Sequence, residues 1–222
     1  MRGARPAART DMQSGSNSRI GVLGGTFNPI HLGHLIVAQM AMERFELGRV
    51  LFIPCAMPPH KNGTGLADGH HRLAMVQNAL EGDLHFEACD IEVQRGGPSY
   101  TIDTVRVLHE RFPSADFYFI IGADTLTELH LWRQIDTLLT LVRFVTLARP
   151  GTDIAALRAN PDRLRLPTPW PQRLLADVVE GRQVDISSSD IRHRLAEGMG
   201  IRYLAPQSVE MYISEHNLYR QR

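Results

Sequence analysis

The sequence predicts an α/β protein in which a single domain is built around a doubly wound, mostly parallel sheet. First, short apolar runs typical of buried strands alternate with segments whose apolar residues recur at helical spacing. Second, a strand, a helix and another strand open the ordered part of the chain, which is the pattern of a parallel crossover unit. Third, a length of 222 residues suits one domain with one sizeable core.

Each strand is predicted from a run of apolar residues bounded by glycine, proline or charge. The predicted strands cover residues 19–23, 50–53, 84–88, 117–121 and 143–148. The predicted helices cover residues 33–45, 71–80, 99–111, 132–139, 188–197 and 206–215. The stretch 149–182 contains Pro167, Pro169 and Pro171 and matches no element pattern.

Composition excludes several classes of protein. Lys and Arg balance Asp and Glu at 24 each, which argues against a protein that coats nucleic acid or an acidic membrane. Cys55 and Cys89 lie far apart, so they predict neither a disulfide framework nor a zinc cluster, and they fit a reducing cytosol. No apolar run approaches the roughly 20 residues that a membrane helix needs. We therefore expect a cytoplasmic protein without a membrane or nucleic-acid partner. Whether the protein forms a homo-oligomer is left open.

The first eighteen residues are predicted to be a disordered N-terminal extension, so the folded domain covers residues 19–222. This extension carries arginines among Ala, Ser, Gly and Asn, without the apolar stretch of a secretory signal. An overlong start, with Met12 nearer the true beginning, is one alternative. A transit peptide is another, although Asp11 argues against it.

The loop after the first strand is the first candidate site. It reads Gly24-Gly25-Thr26-Phe27-Asn28-Pro29-Ile30-His31-Leu32-Gly33-His34. Ligands of doubly wound sheets bind beyond the carboxyl ends of the strands, and the N–H groups of a first helical turn favour phosphate. His31 and His34 are three residues apart at the start of the next helix, so both can donate hydrogen bonds to one phosphate.

Other interpretations of this loop remain open. It matches neither the dinucleotide-binding glycine pattern nor a P-loop, which disfavours a dehydrogenase or a P-loop enzyme. The two histidines could bind a metal, but no third ligand is obvious nearby. Either histidine could also be a hydrogen-bonded structural residue.

A second candidate site lies near the end of the chain, in Ile186-Ser187-Ser188-Ser189-Asp190-Ile191-Arg192. Any of the three serines is a suitable helix N-cap. Arg192 lies one turn after Ser188, so its guanidinium can reach an anion bound at the same helix start. Taken alone, this segment is more typical of a capped helix with a surface arginine than of an anion site.

Together the two segments resemble the signatures of the HxGH nucleotidyltransferase superfamily. Class I aminoacyl-tRNA synthetases share a related first signature, but they are longer and carry a lysine-rich second motif that is absent here. Ser189 stands where the superfamily's second signature usually has threonine. The resemblance implies a Rossmann-like fold and catalysis by His31, His34 and Arg192. The implied ATP-binding residues are these three together with Gly24, Gly25, Thr26, Phe27, Gly122, Asp124, Ile186, Ser187, Ser188 and Ser189.

Further segments resemble bacterial nicotinate-nucleotide adenylyltransferases. They include residues 53–61, 98–101, 120–124, 149–151 and 217–219 and the surroundings of Trp132. The resemblance implies that the nicotinate ring stacks on Trp132 and that backbone N–H groups near Thr101 and Arg133 meet its carboxylate. It implies that Asp124 and the cations His60, Lys61 and Arg149 bind the mononucleotide. Trp132 could instead be a core residue, His60 and Lys61 a solvated loop, and Arg149 a surface charge.

The implied reaction is attack by the phosphate of nicotinate mononucleotide on the α-phosphorus of Mg-ATP, which gives nicotinate adenine dinucleotide (deamido-NAD) and pyrophosphate. Mg²⁺ would be held mainly by ATP oxygens and water, so no protein metal site is expected. One rival is another small transferase of the superfamily, such as the pantetheine-phosphate enzyme. The other is a nucleotide-binding regulator without turnover.

Overall fold

The computed structural model describes residues 18–58, 65–148, 151–181 and 184–220, and it has an all-parallel sheet. The strands are β1 (Arg19–Gly25), β2 (Arg49–Pro54), β3 (Phe86–Ala88), β4 (Asp116–Gly122), β5 (Arg143–Leu147) and β6 (Val178–Val179). They lie in the order β3-β2-β1-β4-β5-β6, so the chain winds outward in both directions from β1 and β4. This topology confirms the predicted doubly wound α/β domain.

Helices cover both faces of the sheet. They are α1 (Leu32–Phe45), α2 (Gly69–Ala79), α3 (Ile91–Arg95), α4 (Thr101–Arg111), α5 (Ile135–Leu141), α6 (Ile154–Ala159), α7 (Trp170–Ala176), α8 (Ser188–Ala196) and α9 (Gln207–Glu215). Strand side chains alternate between two cores, because successive residues of a strand point to opposite faces. Val22 and Phe119 belong to one core, whereas Leu23 and Ile120 belong to the other.

The switch point of the sheet lies between β1 and β4. The pairing of these strands ends at Val22 and Phe119, while the pairing of β1 with β2 continues to Gly25 and Pro54. Beyond Val22, β1 therefore continues toward its carboxyl end without a ladder to β4. A ligand crevice is expected at this place in a doubly wound sheet.

The structure corrects several predicted boundaries. The helix expected from Trp132 begins only at Ile135, and two 3-10 turns, Ala123–Thr127 and Leu129–Leu131, precede Trp132. The strand expected from Leu84 begins at Phe86, because the Asp83 carboxylate accepts hydrogen bonds from the backbone N–H groups of His85 and Phe86 and holds a turn there.

Two regions contain structure that was not predicted. Helix α3 follows β3 directly, and α6, α7 and β6 lie in the proline-rich stretch that matched no pattern. Residues 1–17 of the predicted extension lie outside the described residues, so its disorder stays a prediction. In the part of the chain that is described, no helix is long and apolar enough to cross a membrane.

Candidate active site

The two histidines of the first motif lie side by side at the start of α1. His31 is the N-cap residue, and its backbone N–H donates to Nδ1 of His34 at 3.2 Å. The backbone N–H of His34 in turn donates to the carbonyl of His31 at 3.0 Å, and the two rings stack with centroids 3.7 Å apart. Because Nδ1 of His34 accepts a hydrogen bond, the neutral ring carries its proton on Nε2. That nitrogen is therefore a donor suited to a phosphate oxygen.

Gly33 allows this arrangement. A Cβ at this position would lie 3.0 Å from Nδ1 and 3.1 Å from Cε1 of His31, closer than nine in ten real Cβ contacts. The same Cβ would lie 3.6 Å from Cβ of Ile186, so the second motif passes directly beside the first. The glycine thus lets the buried His31 ring lie against the helix start.

The second motif begins α8 and is bonded to the first-motif loop. Ser187 is the N-cap residue, and its hydroxyl accepts from the backbone N–H of Asp190 at 3.0 Å. Ser188 donates its hydroxyl proton to the carbonyl of Pro29 at 2.9 Å. This bond makes Ser188 an anchor between the motifs, while Ser187 and Ser189 are exposed.

Arg192 makes the second bridge between the motifs. Its Nη1 donates to the carbonyl of Asn28 at 2.8 Å, and its Nη2 donates to the Ser189 hydroxyl at 3.2 Å. The arginine is half-buried beside the histidine loop. The geometry therefore brings a cation, serine hydroxyls and two imidazoles to one edge of the sheet.

Asn28 holds the first-motif loop from within. Its buried side-chain amide donates to the carbonyl of Gly65 at 2.9 Å and accepts from the backbone N–H of Ala67 at 3.0 Å. The same oxygen accepts from the Tyr219 hydroxyl at 2.7 Å. Burial raises the pKa of Tyr219, so its hydroxyl stays protonated and donates at neutral pH. The end of the chain is thereby tied to the histidine loop.

The rest of the predicted nucleotide site follows β1 and β4. A Cβ on Gly24 would meet the Phe119 ring at 3.4 Å, and one on Gly25 would meet the Phe27 ring at 3.3 Å. The Phe27 ring also packs edge-on against His34, with centroids 5.0 Å apart. Thr26 lies in the same loop. Gly122 ends β4, and Asp124 is exposed in the 3-10 turn that follows it.

On the predicted acceptor side, Thr101 begins α4 and Arg133 packs against the same helix start. The Arg133 guanidinium lies 4.7 Å from the Tyr100 ring centroid and 4.0 Å from the Asp103 carboxylate. Trp132 is half-buried and meets Phe119 and Phe144 edge-on, with centroids 6.0 and 6.1 Å apart.

Trp132 therefore packs against the core, as the alternative interpretation expected, and still keeps exposed surface. His60, Lys61 and Arg149 lie outside the described residues, and their role stays a prediction.

Comparison with known proteins identifies the family. The cytidylyltransferase-like family model matches residues 22–194. A probable nicotinate-nucleotide adenylyltransferase from Desulfitobacterium hafniense is 44% identical over 202 residues, 91% of this chain and 96% of the relative. Another, from Shouchella clausii, is 46% identical over 201 residues, 90% of this chain and 96% of the relative. The chain belongs to the nicotinate-nucleotide adenylyltransferase family.

Solved structures share the fold of this family member. A Plasmodium falciparum nicotinic acid mononucleotide adenylyltransferase complexed with NaAD matches with a TM-score of 0.69 and 20% identity, over 90% of this chain and 97% of that one. The same parasite enzyme complexed with APC matches with a TM-score of 0.66 and 20% identity, over 90% and 96% of the two chains.

Membership of a nucleotidyltransferase family implies a divalent cation, which the protein could hold alone only with a cluster of suitable side chains. No group of three or more His, Cys, Asp or Glu side chains with metal-binding geometry occurs among them. Asp124 is a single exposed carboxylate, and the nearby groups of the two motifs are imidazoles, hydroxyls and a guanidinium. This donor set suits a cation that arrives already bound to the triphosphate.

Sequence reasoning missed two kinds of residue in this nicotinate-nucleotide adenylyltransferase family member. Asn28 and Tyr219 were noted only as parts of matching segments, and their mutual bond depends on the tertiary fold. Arg72 was not noted at all, although its side chain is wholly buried beneath the first-motif loop. A charged residue inside a helix pattern looks like a surface residue in a single sequence.

Proposed function

We propose that this chain transfers the adenylyl group of ATP to nicotinate mononucleotide, forming nicotinate adenine dinucleotide (deamido-NAD) and pyrophosphate in NAD biosynthesis. The observation that carries the proposal is the docking of Ser188 and Arg192 on the loop that presents His31 and His34. Relatives with 44% and 46% identity over almost their whole length, named probable nicotinate-nucleotide adenylyltransferases, support the same activity.

ATP would lie at the switch point of the sheet, above the carboxyl ends of β1 and β4. Gly24, Gly25, Thr26 and Phe27 would line the nucleotide, because the glycines let it approach the backbone closely. Gly122 and Asp124 would lie near its sugar and the acceptor. Ile186 lies beside Gly33 and would close the site from the second motif.

The reaction would be an in-line displacement. A phosphate oxygen of the mononucleotide attacks the α-phosphorus, the bond from that phosphorus to the bridging oxygen breaks, and pyrophosphate leaves with the electron pair. The attacking phosphate is already anionic, so no general base is needed. Catalysis would come from positioning and from stabilisation of developing charge.

The chain's donors divide between the phosphates. His31 and His34 would donate to the oxygens of the α- and β-phosphates, and the orientation of His34 leaves its Nε2–H for this purpose. Arg192 would stabilise the leaving pyrophosphate together with Ser187 and Ser189, while Ser188 keeps the two motifs together. Mg²⁺, bound to triphosphate oxygens and water, would supply further neutralisation of the leaving group.

The acceptor would lie between the start of α4 and the 3-10 segment after β4. The exposed part of Trp132 offers an aromatic surface for a pyridine ring. Backbone N–H groups near Thr101 and Arg133 would bind the ring carboxylate. The mononucleotide phosphate would meet His60, Lys61 and Arg149. The cytoplasmic location stays a prediction, and the oligomeric state stays open.

The experiment that tests this proposal is pyrophosphate release by the purified protein with Mg-ATP and one of three acceptors: nicotinate mononucleotide, nicotinamide mononucleotide or phosphopantetheine. We expect turnover with nicotinate mononucleotide and little with phosphopantetheine. Turnover with phosphopantetheine alone would replace the acceptor. ATP binding without turnover on any acceptor would favour a nucleotide-binding regulator.

A further inference from the structure

Arg72 connects three separate loops from inside the protein. It belongs to α2, and its side chain has no exposed surface. Its Nε donates to the carbonyl of Ala67 at 2.9 Å, its Nη1 to the carbonyl of Thr26 at 2.8 Å, and its Nη2 to the carbonyl of Ala56 at 2.8 Å. One planar guanidinium thus holds three backbone segments in a fixed relation.

Two of these segments lead to the two substrates of the proposed reaction. Thr26 lies in the first-motif loop, five residues before His31. Ala56 follows β2, and its backbone N–H donates to the Ser99 hydroxyl at 3.0 Å, just before α4 begins. The Met57 carbonyl accepts from the backbone N–H of Ser99 as well. Arg72 therefore sits where the nucleotide side and the acceptor side meet.

The arginine makes these bonds without a carboxylate in contact. Among the described residues, no Asp or Glu oxygen lies within 4.0 Å of the Arg72 guanidinium, and its Nη1 also lies 3.7 Å from the Cys55 sulfur. A buried charge is costly unless it is well compensated. An apolar side chain of similar volume would leave the carbonyls of Ala67, Thr26 and Ala56 without the donors that Arg72 supplies.

The shape of the guanidinium explains why arginine stands here. Its N–H donors form a rigid planar fork, so bonds in three directions are fixed at once. A lysine ammonium keeps the charge, but it is a compact group on a flexible stem and cannot reproduce the fork. Replacing arginine by lysine therefore separates the effect of geometry from the effect of charge.

We propose that Arg72 is a positioning residue for adenylyl transfer, which sets the relation between the loop that holds ATP and the loop that leads to the acceptor. Because it is wholly buried, it acts through the carbonyls of Thr26 and Ala56 and touches neither substrate. This inference rests on the proposed function. It adds a residue that belongs to neither sequence signature.

The test compares Arg72→Lys and Arg72→Gln with Arg143→Lys. Arg143 is a suitable control because its guanidinium makes a bidentate ion pair with Asp177 at 2.6 and 2.7 Å, at the amino-terminal end of β5 and away from the site. For each protein, thermal unfolding is recorded, and kcat and KM are measured for ATP and for the acceptor that the wild-type enzyme uses.

We expect both Arg72 variants to fold and to lose kcat on the order of tenfold to a hundredfold, as for a small misplacement of reacting groups. The KM values should change much less. Arg143→Lys should lose stability and keep its kcat.

Wild-type kcat in Arg72→Lys would overturn the proposal, since charge alone would then suffice. Failure of both Arg72 variants to fold, while Arg143→Lys folds, would also overturn it and make Arg72 a residue for folding. An inactive wild-type protein would instead contradict the proposed function. Failure of the Arg72 proposal and failure of the proposed function therefore give different results.

Discussion

Nη1 of Arg192 donates a hydrogen bond to the carbonyl oxygen of Asn28 at 2.8 Å, across 164 positions of sequence. This contact joins the two motifs, which lie far apart in the sequence. Because the guanidinium also bonds Ser189, its orientation is fixed before any ligand arrives. A preorganised donor of this kind stabilises developing charge without reorganising during the reaction.

Replacing Arg192 by alanine should therefore lower kcat/KM by roughly a hundredfold or more, by analogy with the loss of one transition-state donor. Steady-state pyrophosphate release measures the effect. The matched control is Arg194→Ala in the same helix, because the Nε of Arg194 donates to the carbonyl of Gly200 at 3.0 Å instead of to the first-motif loop. Equal losses in the two variants would contradict a specific role for Arg192.

Replacing Gly33 by alanine should reduce kcat at least tenfold, because the new Cβ would displace the His31 ring that lies 3.0 Å from it. Stability should change little, since alanine favours the helix by about 1 kcal/mol and offsets part of the clash. The control is Gly200→Ala, where a Cβ meets nothing within 4 Å. Full activity in Gly33→Ala would mean that the position of His31 is unimportant.

Replacing His34 by alanine should lower kcat by roughly two powers of ten, since it removes the Nε2–H donor assigned to the phosphates. His85→Ala provides the control, because His85 is exposed just before β3. Turnover is measured at saturating ATP and acceptor. A His34→Ala enzyme with near wild-type turnover would remove the imidazole pair from the mechanism.

Replacing Tyr219 by phenylalanine should lower the free energy of unfolding by about 1 kcal/mol, the usual net value of one hydrogen bond. Asn28 keeps its bonds to Gly65 and Ala67, so the loop should remain folded. Urea denaturation measures the loss, and Tyr203→Phe is the control because Tyr203 is 76% exposed. Equal stability of the two variants would show that the bond from Tyr219 contributes nothing.

Replacing Glu92 by glutamine should remove a pH-dependent part of the stability. Burial raises the pKa of Glu92 above its ordinary value of 4.5. The hydrogen bond that the Thr104 hydroxyl donates to the Glu92 carboxylate lowers the pKa, but burial has the larger effect. A carboxyl group whose pKa is higher in the folded protein contributes its full stabilisation at pH values below the ordinary pKa. This contribution is lost as the pH rises through the folded-state pKa. The variant should therefore gain stability relative to the wild type as pH increases from 4.

Urea denaturation of both proteins between pH 4 and pH 8 checks this prediction, because the difference between the two curves isolates Glu92. A difference that stays constant across the range would show that the carboxyl pKa is the same in the folded and unfolded protein.

The central strands and the two signatures could be predicted because they depend on local pattern. A buried parallel strand such as Phe117 to Ile121 is apolar throughout, and the sequence HxGH fits one helix start. The docking of Arg192 on Asn28 could not be predicted from spacing, since it depends on how α8 returns to the first loop. Arg72 was missed because a charged residue inside a helix pattern looks like a surface residue.

The structure of the proline-rich stretch 149–182 could not be predicted for another physical reason. Pro171 lies in the first turn of α7, where a missing N–H costs nothing, so it permits a helix instead of breaking one. Strand β6 has only two residues, Val178 and Val179, and is too short to show a period. Trp132 is predicted to begin a helix, whereas in the structure it follows a 3-10 turn and packs edge-on against Phe119.

The most direct test of the central claim follows the α-phosphate. The protein is incubated with nicotinate mononucleotide and Mg-ATP labelled at the α-phosphorus, and the products are separated and counted. Adenylyl transfer predicts that the label appears in nicotinate adenine dinucleotide, in amounts equal to the pyrophosphate released. Label that remains in ADP, with the acceptor gaining an unlabelled phosphate, would mean that the bond at the γ-phosphate is broken and would contradict the account.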